Sequence, residues 1–152
     1  MKFAQPFEPE IGALTFKISL INSWSAVRAA LQQIRARLEP AEISSEQLDD
    51  LEVVMAEVLN NIVEHAYPAD KSGQINVWIS TRAGIVCCWT CDAGAAMTNG
   101  VLPNPPRQDC QPKGLLELRE GGFGWSMIHD LTQGLSYSRQ DGQNLLHFKI
   151  IP

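Results

Sequence analysis

The sequence predicts an α/β (α+β) two-layer sandwich, with helices on one face of a mixed, mostly antiparallel sheet. Three observations lead there. Two long stretches of helical period precede a switch to period two near residue 74. Two pairs of period-two stretches close on short glycine turns at 82–84 and 141–142, the mark of hairpins. The resulting order, β-α-α-β-β-lid-α-β-β, has no regular βαβ alternation, which disfavours a parallel doubly wound sheet.

Residues 12–20, "GALTFKISL", place Leu14, Phe16, Ile18 and Leu20 on one face of a strand. Residues 24–38 put Trp24, Val27, Leu31, Ile34 and Leu38 at helical spacing, and Pro40 marks the end. The next helix starts at an N-cap of Ser44 or Ser45, with acidic residues in its first turns. Its stripe is Leu48, Leu51, Met55, Val58, Leu59, Ile62 and Ala66, and Pro68 stops it. Strands follow at 74–81 and 85–91, joined by Arg82-Ala83-Gly84. Residues 95–121 have no clear period and carry Pro103, Pro105, Pro106 and Pro112; a loop this long in a compact domain is either disordered or a functional lid. In "GGFGWSMIHDLTQG", Gly124, Met127, Ile128 and Leu131 share a helical face and Gly134 is the expected C-cap. "LSYSRQ", an Asp141-Gly142 turn and "QNLLHFKII" make the last hairpin.

The chain has 152 residues, enough for one domain with a real core, so residues 1–152 read as a single domain with a lid at about 95–121. A net charge of −5 argues against nucleic acid or an anionic membrane as the main partner. No apolar run is long enough to span a bilayer, and "MKFAQPFEPEIG" lacks the apolar middle of a signal peptide, so the expectation is a cytoplasmic protein. Cys88 and Cys91 form a C-x-x-C, but no second pair or His set completes a zinc site. In a buried strand such as "IVCCWTC", neighbouring cysteines point to opposite faces, and Cys87, Cys88, Cys91 and Cys110 read as ordinary thiols.

Three motifs suggest chemistry. In "EVLNNIVEHAY" (57–67), Glu57 and Asn61 lie one turn apart, about 40° around the helix. A carboxamide oxygen there suits a hard cation such as Mg²⁺, and the carboxylate can take a proton from a hydroxyl. The plain reading is a solvated polar face, with His65 merely favouring the helix dipole. "CDAG" (91–94) can be an ordinary turn after a strand, or an Asp offered to an exocyclic amine beside a glycine that lets a base approach. "EGGFGWS" (120–126) opens a helix with exposed backbone N–H groups, either a ready anion site or a hinge with a close-packed Gly124. There is no G-x-x-x-x-G-K-[ST], and a dinucleotide fingerprint would follow an early strand of a βαβ unit instead.

Taken together, a helical Glu-x-x-x-Asn, a post-strand Asp-x-Gly, a Pro-rich lid and Gly-x-Gly at a helix start resemble the gyrase/histidine-kinase-like (GHKL) ATPase superfamily, with its Bergerat ATP-binding fold. "EVLNNIVEHAY", "DAG" and "GGFGWSMIHDL" look most like the small stand-alone anti-sigma factor serine kinases, and the resemblance covers nearly the whole chain. It implies ATP and Mg²⁺ as cofactors, with Asn61 (not Asn60) on the magnesium and Glu57 as the general base on a substrate serine. Asp92 would accept from the adenine amine and Gly94 would let the base pack close. Met97 would join the nucleotide contacts, and Gly122, Phe123, Gly124 and Trp125 would hold the phosphates. The implied function is a serine/threonine protein kinase that phosphorylates an anti-sigma factor antagonist, sequesters a sigma factor or similar regulator, and forms a homodimer. The alternative is a non-catalytic, ATP-responsive regulator that binds a partner. Two departures fall at the base pocket: Ala96 stands where the family has a second glycine, and Gln143-Asn144 replace its Gly-Thr. The phosphate side is intact.

Overall fold

The computed structural model describes residues 14–103 and 122–152. Its elements are β1 (Leu14–Ile21), α1 (Trp24–Leu38), α2 (Ser45–Asn61), β2 (Gln74–Arg82), β3 (Ile85–Asp92), α3 (Gly122–Leu131), β4 (Gln133–Gln140) and β5 (Gln143–Ile150). The sheet order is β1-β2-β3-β5-β4, and every neighbouring pair is antiparallel. The two-layer α/β expectation therefore holds.

Local chemistry explains the boundaries. Ser23 caps α1 by accepting from the Ala26 N–H. Ser44, not Ser45, caps α2 through a capping box with Gln47, whose Nε2 also donates to the Gly84 carbonyl at 2.7 Å. Both two-residue hairpin turns use positive φ: Ala83 and Gly84 in one, Asp141 and Gly142 in the other. That geometry matches the right-handed twist of the strands.

The core lies between the sheet and the helices. Period two sends Ile18 and Leu20 of β1, Ile75, Val77 and Ile79 of β2, Val86 and Cys88 of β3, and Leu146, Phe148 and Ile150 of β5 to the buried side. There they meet Val27, Ala30, Ile34 and Leu38 of α1 and Leu51, Val54, Met55, Val58 and Leu59 of α2. Cys88 is fully buried while Cys87 faces the other way, and Cys87, Cys88 and Cys91 are all free thiols. Burial pushes the Cys88 thiol well above its ordinary range.

Four details differ from the sequence reading. Trp24 is 58% exposed although its spacing fits the stripe that Val27, Ala30, Ile34 and Leu38 form, because it is the first residue of α1, at the open end of that stripe. The second helix ends as an α-helix at Asn61 and continues as one π-helical turn, Ile62–Ala66. Gly134 is left-handed but caps no helix: α3 ends at Leu131, and Gly134 lies in β4 at an irregularity between Gln133 and Ser136. Among the α3 residues whose burial is described, Trp125 and Ile128 are buried and Met127 is only half-buried. Of the lid reading, residues 104–121 and Cys110 lie outside the described residues.

Candidate functional site

The end of α2, its π-turn, β3, β5, α3 and residues 95–103 enclose a cavity of about 720 Å³. Small-molecule sites usually measure roughly 300–1,000 Å³. The walls include Val58, Ile62 and Leu146 on the apolar side, with Asn61, Thr90, Asp92 and Asn144 among the polar groups.

Asp92 ends β3 on the core side of the sheet and is 3% exposed. Its Oδ1 accepts from the Gly94 N–H and from Asn144 Nδ2, each at 2.9 Å. No protein donor among the described residues meets Oδ2, so that oxygen is available to an exocyclic amine. Burial raises the Asp92 pKa above its ordinary value, opposed by Asn144, the Gly94 N–H and the charge of Arg139.

Asn144 faces Asp92 across the β3–β5 pairing and is fully engaged. Besides Asp92, its Nδ2 donates to the Ala95 carbonyl at 2.9 Å. Its Oδ1 accepts from the Tyr137 hydroxyl at 2.6 Å and from Arg139 Nη1 at 2.7 Å. The same Arg139 nitrogen donates to the Gly94 carbonyl at 2.9 Å, and the Tyr137 oxygen accepts from the Met97 N–H at 3.2 Å. One network thus ties Asp92 to the root of the segment that leads toward the lid.

The aspartate box is also joined to the end of α2. The Ala95 N–H donates to the Ala66 carbonyl at 2.6 Å, and the Tyr67 hydroxyl accepts from the Ala93 N–H at 3.0 Å. A Cβ on Gly94 would stand 2.5 Å from the Ala66 carbonyl oxygen. Gly94 does not line the cavity, so in this structure packing against Ala66 is what requires the glycine.

At the other end of the cavity, Asn61 lines the wall while Asn60 does not. The Asn61 Nδ2 is buried with no partner among the described residues. Glu57, one turn back, stands outside the cavity lining. Its Oε2 lies against Gly124, in the space a Cβ on that residue would take. Trp125 lines the cavity, as do Met97 and His65. Gly122 and Phe123 begin α3, whose first turn has backbone N–H groups without helical acceptors, the geometry that binds phosphate.

Among the described residues no group of three His, Cys, Asp or Glu could hold a metal unaided. A magnesium ion bound mainly by phosphates and water needs only about one or two protein oxygens. Asn61, which lines the cavity, carries a carboxamide oxygen of the kind that requirement calls for.

The structure thus gathers Asn61, Asp92, Met97 and Trp125 around one cavity, with Glu57, Gly94 and Gly124 just behind its walls. Sequence reasoning missed Thr90, Tyr137, Arg139 and the positive role of Asn144. Strand alternation was the available signal. Asn144, Leu146, Phe148 and Ile150 fall on one face of β5, and Thr90 and Asp92 on one face of β3.

Comparison with known proteins agrees with this architecture. Residues 22–150 match the family model described as the histidine kinase-like ATPase domain. The serine-protein kinase RsbW of Oceanobacillus iheyensis is 28% identical over 108 residues, spanning 71% of this chain and 68% of that protein. The serine/threonine-protein kinase BtrW of Bordetella bronchiseptica is 31% identical over 90 residues, spanning 59% of this chain and 61% of that one. A solved structure of the RsbU and RsbW domains of Rv1364c from Mycobacterium tuberculosis shares the fold, with a TM-score of 0.62 at 19% identity. That match covers 91% of this chain and 32% of the other. With the family model matched over most of its length, the chain belongs to the histidine kinase-like ATPase domain family.

Proposed function

We propose that the chain binds ATP with Mg²⁺ in this cavity and is a serine/threonine protein kinase of the anti-sigma factor type. Its protein substrate is an antagonist carrying the acceptor serine, and it also sequesters a sigma factor or similar regulator. Similarity to RsbW and BtrW, both named as serine kinases, supports the class. The observation that bears most on the kinase reading is the placement of Glu57. It sits one turn from Asn61 and against Gly124 at the start of α3. A carboxylate there stands beside the phosphate end and outside the base pocket.

The base would enter deepest, its amine on Asp92 Oδ2, and the phosphates would lie between Asn61 and the first turn of α3. Magnesium, when bound, supplies charge neutralisation across the phosphate oxygens. The serine oxygen attacks the γ-phosphorus as its proton passes to Glu57. The bond from that phosphorus to the bridging oxygen breaks, and ADP leaves. A general base of this kind contributes roughly 10²–10⁴-fold to rate.

A second reading is a non-catalytic, ATP-responsive regulator. It is favoured by Ala96 in the wall where the family has glycine. A radiolabelled-ATP transfer assay with a cognate antagonist protein, run beside binding measurements, separates the two. Glu57→Gln is expected to keep ATP binding and to lose most phosphoryl transfer. Wild-type protein that binds ATP but transfers nothing to the antagonist would leave the regulator as the function.

A further inference from the structure

Thr90 is 1% exposed, lines the cavity, and its Oγ1 has no hydrogen-bond partner among the described residues. A buried hydroxyl left unpaired is costly, and valine would fill the same space without that cost. The position also belongs to the polar end of β3. Thr90 lies two residues before Asp92, so both side chains leave the same face of the strand.

The neighbouring donors are already spent. Both hydrogens of Asn144 Nδ2 are directed at Asp92 Oδ1 and the Ala95 carbonyl, and the Tyr137 hydroxyl hydrogen goes to Asn144 Oδ1. Of the three side chains Thr90, Tyr137 and Asn144 that line the sheet side of the cavity, Thr90 is the one whose donor is uncommitted among the described residues.

We infer that Thr90 is a base-reading residue, its hydroxyl donating to the adenine ring nitrogen, N1, that neighbours the exocyclic amine bound by Asp92. This rests on the ATP reading of the cavity. A purine joined to its sugar at N9 enters with the opposite edge leading, and that edge carries N1 and the amine. The deep wall presents a carboxylate, which only accepts when ionised, and a hydroxyl, which can donate. Together they match a donor beside an acceptor. Asn144 is then a positioning residue that orients the Asp92 carboxylate, and the hydroxyl that reads the base comes from β3 in place of the threonine missing from β5.

The test is calorimetric titration of wild type, Thr90→Val and Thr90→Ser with four ligands: ATP, 1-deaza-ATP, 7-deaza-ATP and purine riboside triphosphate. Wild type is expected to bind 1-deaza-ATP about tenfold more weakly than ATP, the scale of one hydrogen bond, and 7-deaza-ATP as well as ATP. In Thr90→Val, ATP binding should fall to the level of 1-deaza-ATP and the two should become equal. Thr90→Ser should restore the difference. Without nucleotide, Thr90→Val should melt no lower than wild type, since the lost hydroxyl had no partner.

Equal wild-type affinity for ATP and 1-deaza-ATP would overturn the inference without any variant. So would a Thr90→Val protein that still tells them apart, or one whose apo form melts lower. If purine riboside triphosphate, which lacks the amine, binds wild type as tightly as ATP, the adenine reading of Asp92 fails and Thr90 falls with it. If that analogue is rejected while 1-deaza-ATP is not, the pocket reading stands and only Thr90 is refuted.

Discussion

Replacing Asn144 by alanine should both destabilise the fold and loosen the base pocket. Asn144 is 6% exposed and its amide satisfies a buried carboxylate, a backbone carbonyl, a phenol and a guanidinium. The bond to Asp92 is charge-assisted and is worth roughly 1.5–3 kcal/mol, while the one to the Ala95 carbonyl is worth about 1 kcal/mol. Arg139 is exposed and Tyr137 half-buried, so water replaces part of what they lose. The expected loss is ~2–4 kcal/mol, or about 4–15 °C in Tm for a domain of this size. The loss should depend on pH. Asn144 holds the Asp92 pKa down against burial, so its removal raises that pKa further above the ordinary value. An acid whose folded pKa is raised costs stability as pH rises through the window from its unfolded to its folded pKa. The extra deficit of Asn144→Ala should therefore be full at neutral pH and shrink as Asp92 is protonated. Differential scanning calorimetry at about pH 7.5 and at the lowest pH where the fold persists measures both effects. Asn144→Thr, which returns a hydroxyl donor to Asp92, should recover part of the loss. A deficit below about 0.5 kcal/mol, the scale of an ordinary surface change, would refute the reasoning.

Other substitutions test the rest of the site. Asp92→Asn removes a buried charge whose pKa burial has raised, so the apo protein should be at least as stable as wild type at neutral pH, and its advantage should fade on acidification through the folded Asp92 pKa. The same variant should bind ATP more weakly by about 1–3 kcal/mol, and calorimetry with unchanged affinity would rule out the adenine contact. Gly94→Ala forces a Cβ against the Ala66 backbone, with 2.8 Å to its carbonyl carbon, so the overpacking should cost about 1–3 kcal/mol in denaturant titrations. Asn61→Ala should make ATP affinity nearly the same with and without Mg²⁺, while apo stability does not fall, since the buried Nδ2 has no partner to lose. A Mg²⁺ dependence equal to wild type would put the metal ligand elsewhere.

Sequence by itself determined the elements and their chemistry. Helical and two-residue periods are properties of neighbouring side chains, so α1, the hairpins and their turns were legible, as was the N-cap of α2 apart from a choice between two serines. Asn61 and Asp92 drew attention only through the order of motifs that resembles a known family, because a polar helix face or a strand-end Asp by itself reads equally as solvated surface or a turn. What only the tertiary structure decided depends on contacts between distant segments. The requirement for Gly94 comes from Ala66, 28 positions earlier, and that for Gly124 from Glu57 on another helix. The exposure of Trp24 follows from where α1 lies on the sheet, since its own spacing fits a stripe. Asn144 read as a missing threonine until the pairing of β3 with β5 set it opposite Asp92, where its amide turns a gap in a motif into the centre of a network. Thr90 read as one residue of a buried strand until the donors of Asn144 and Tyr137 beside it were found to be engaged and its own was not. Periodicity tells which face a side chain leaves, and only the packed neighbours decide whether the group it meets there is a partner, a wall or an opening for a ligand.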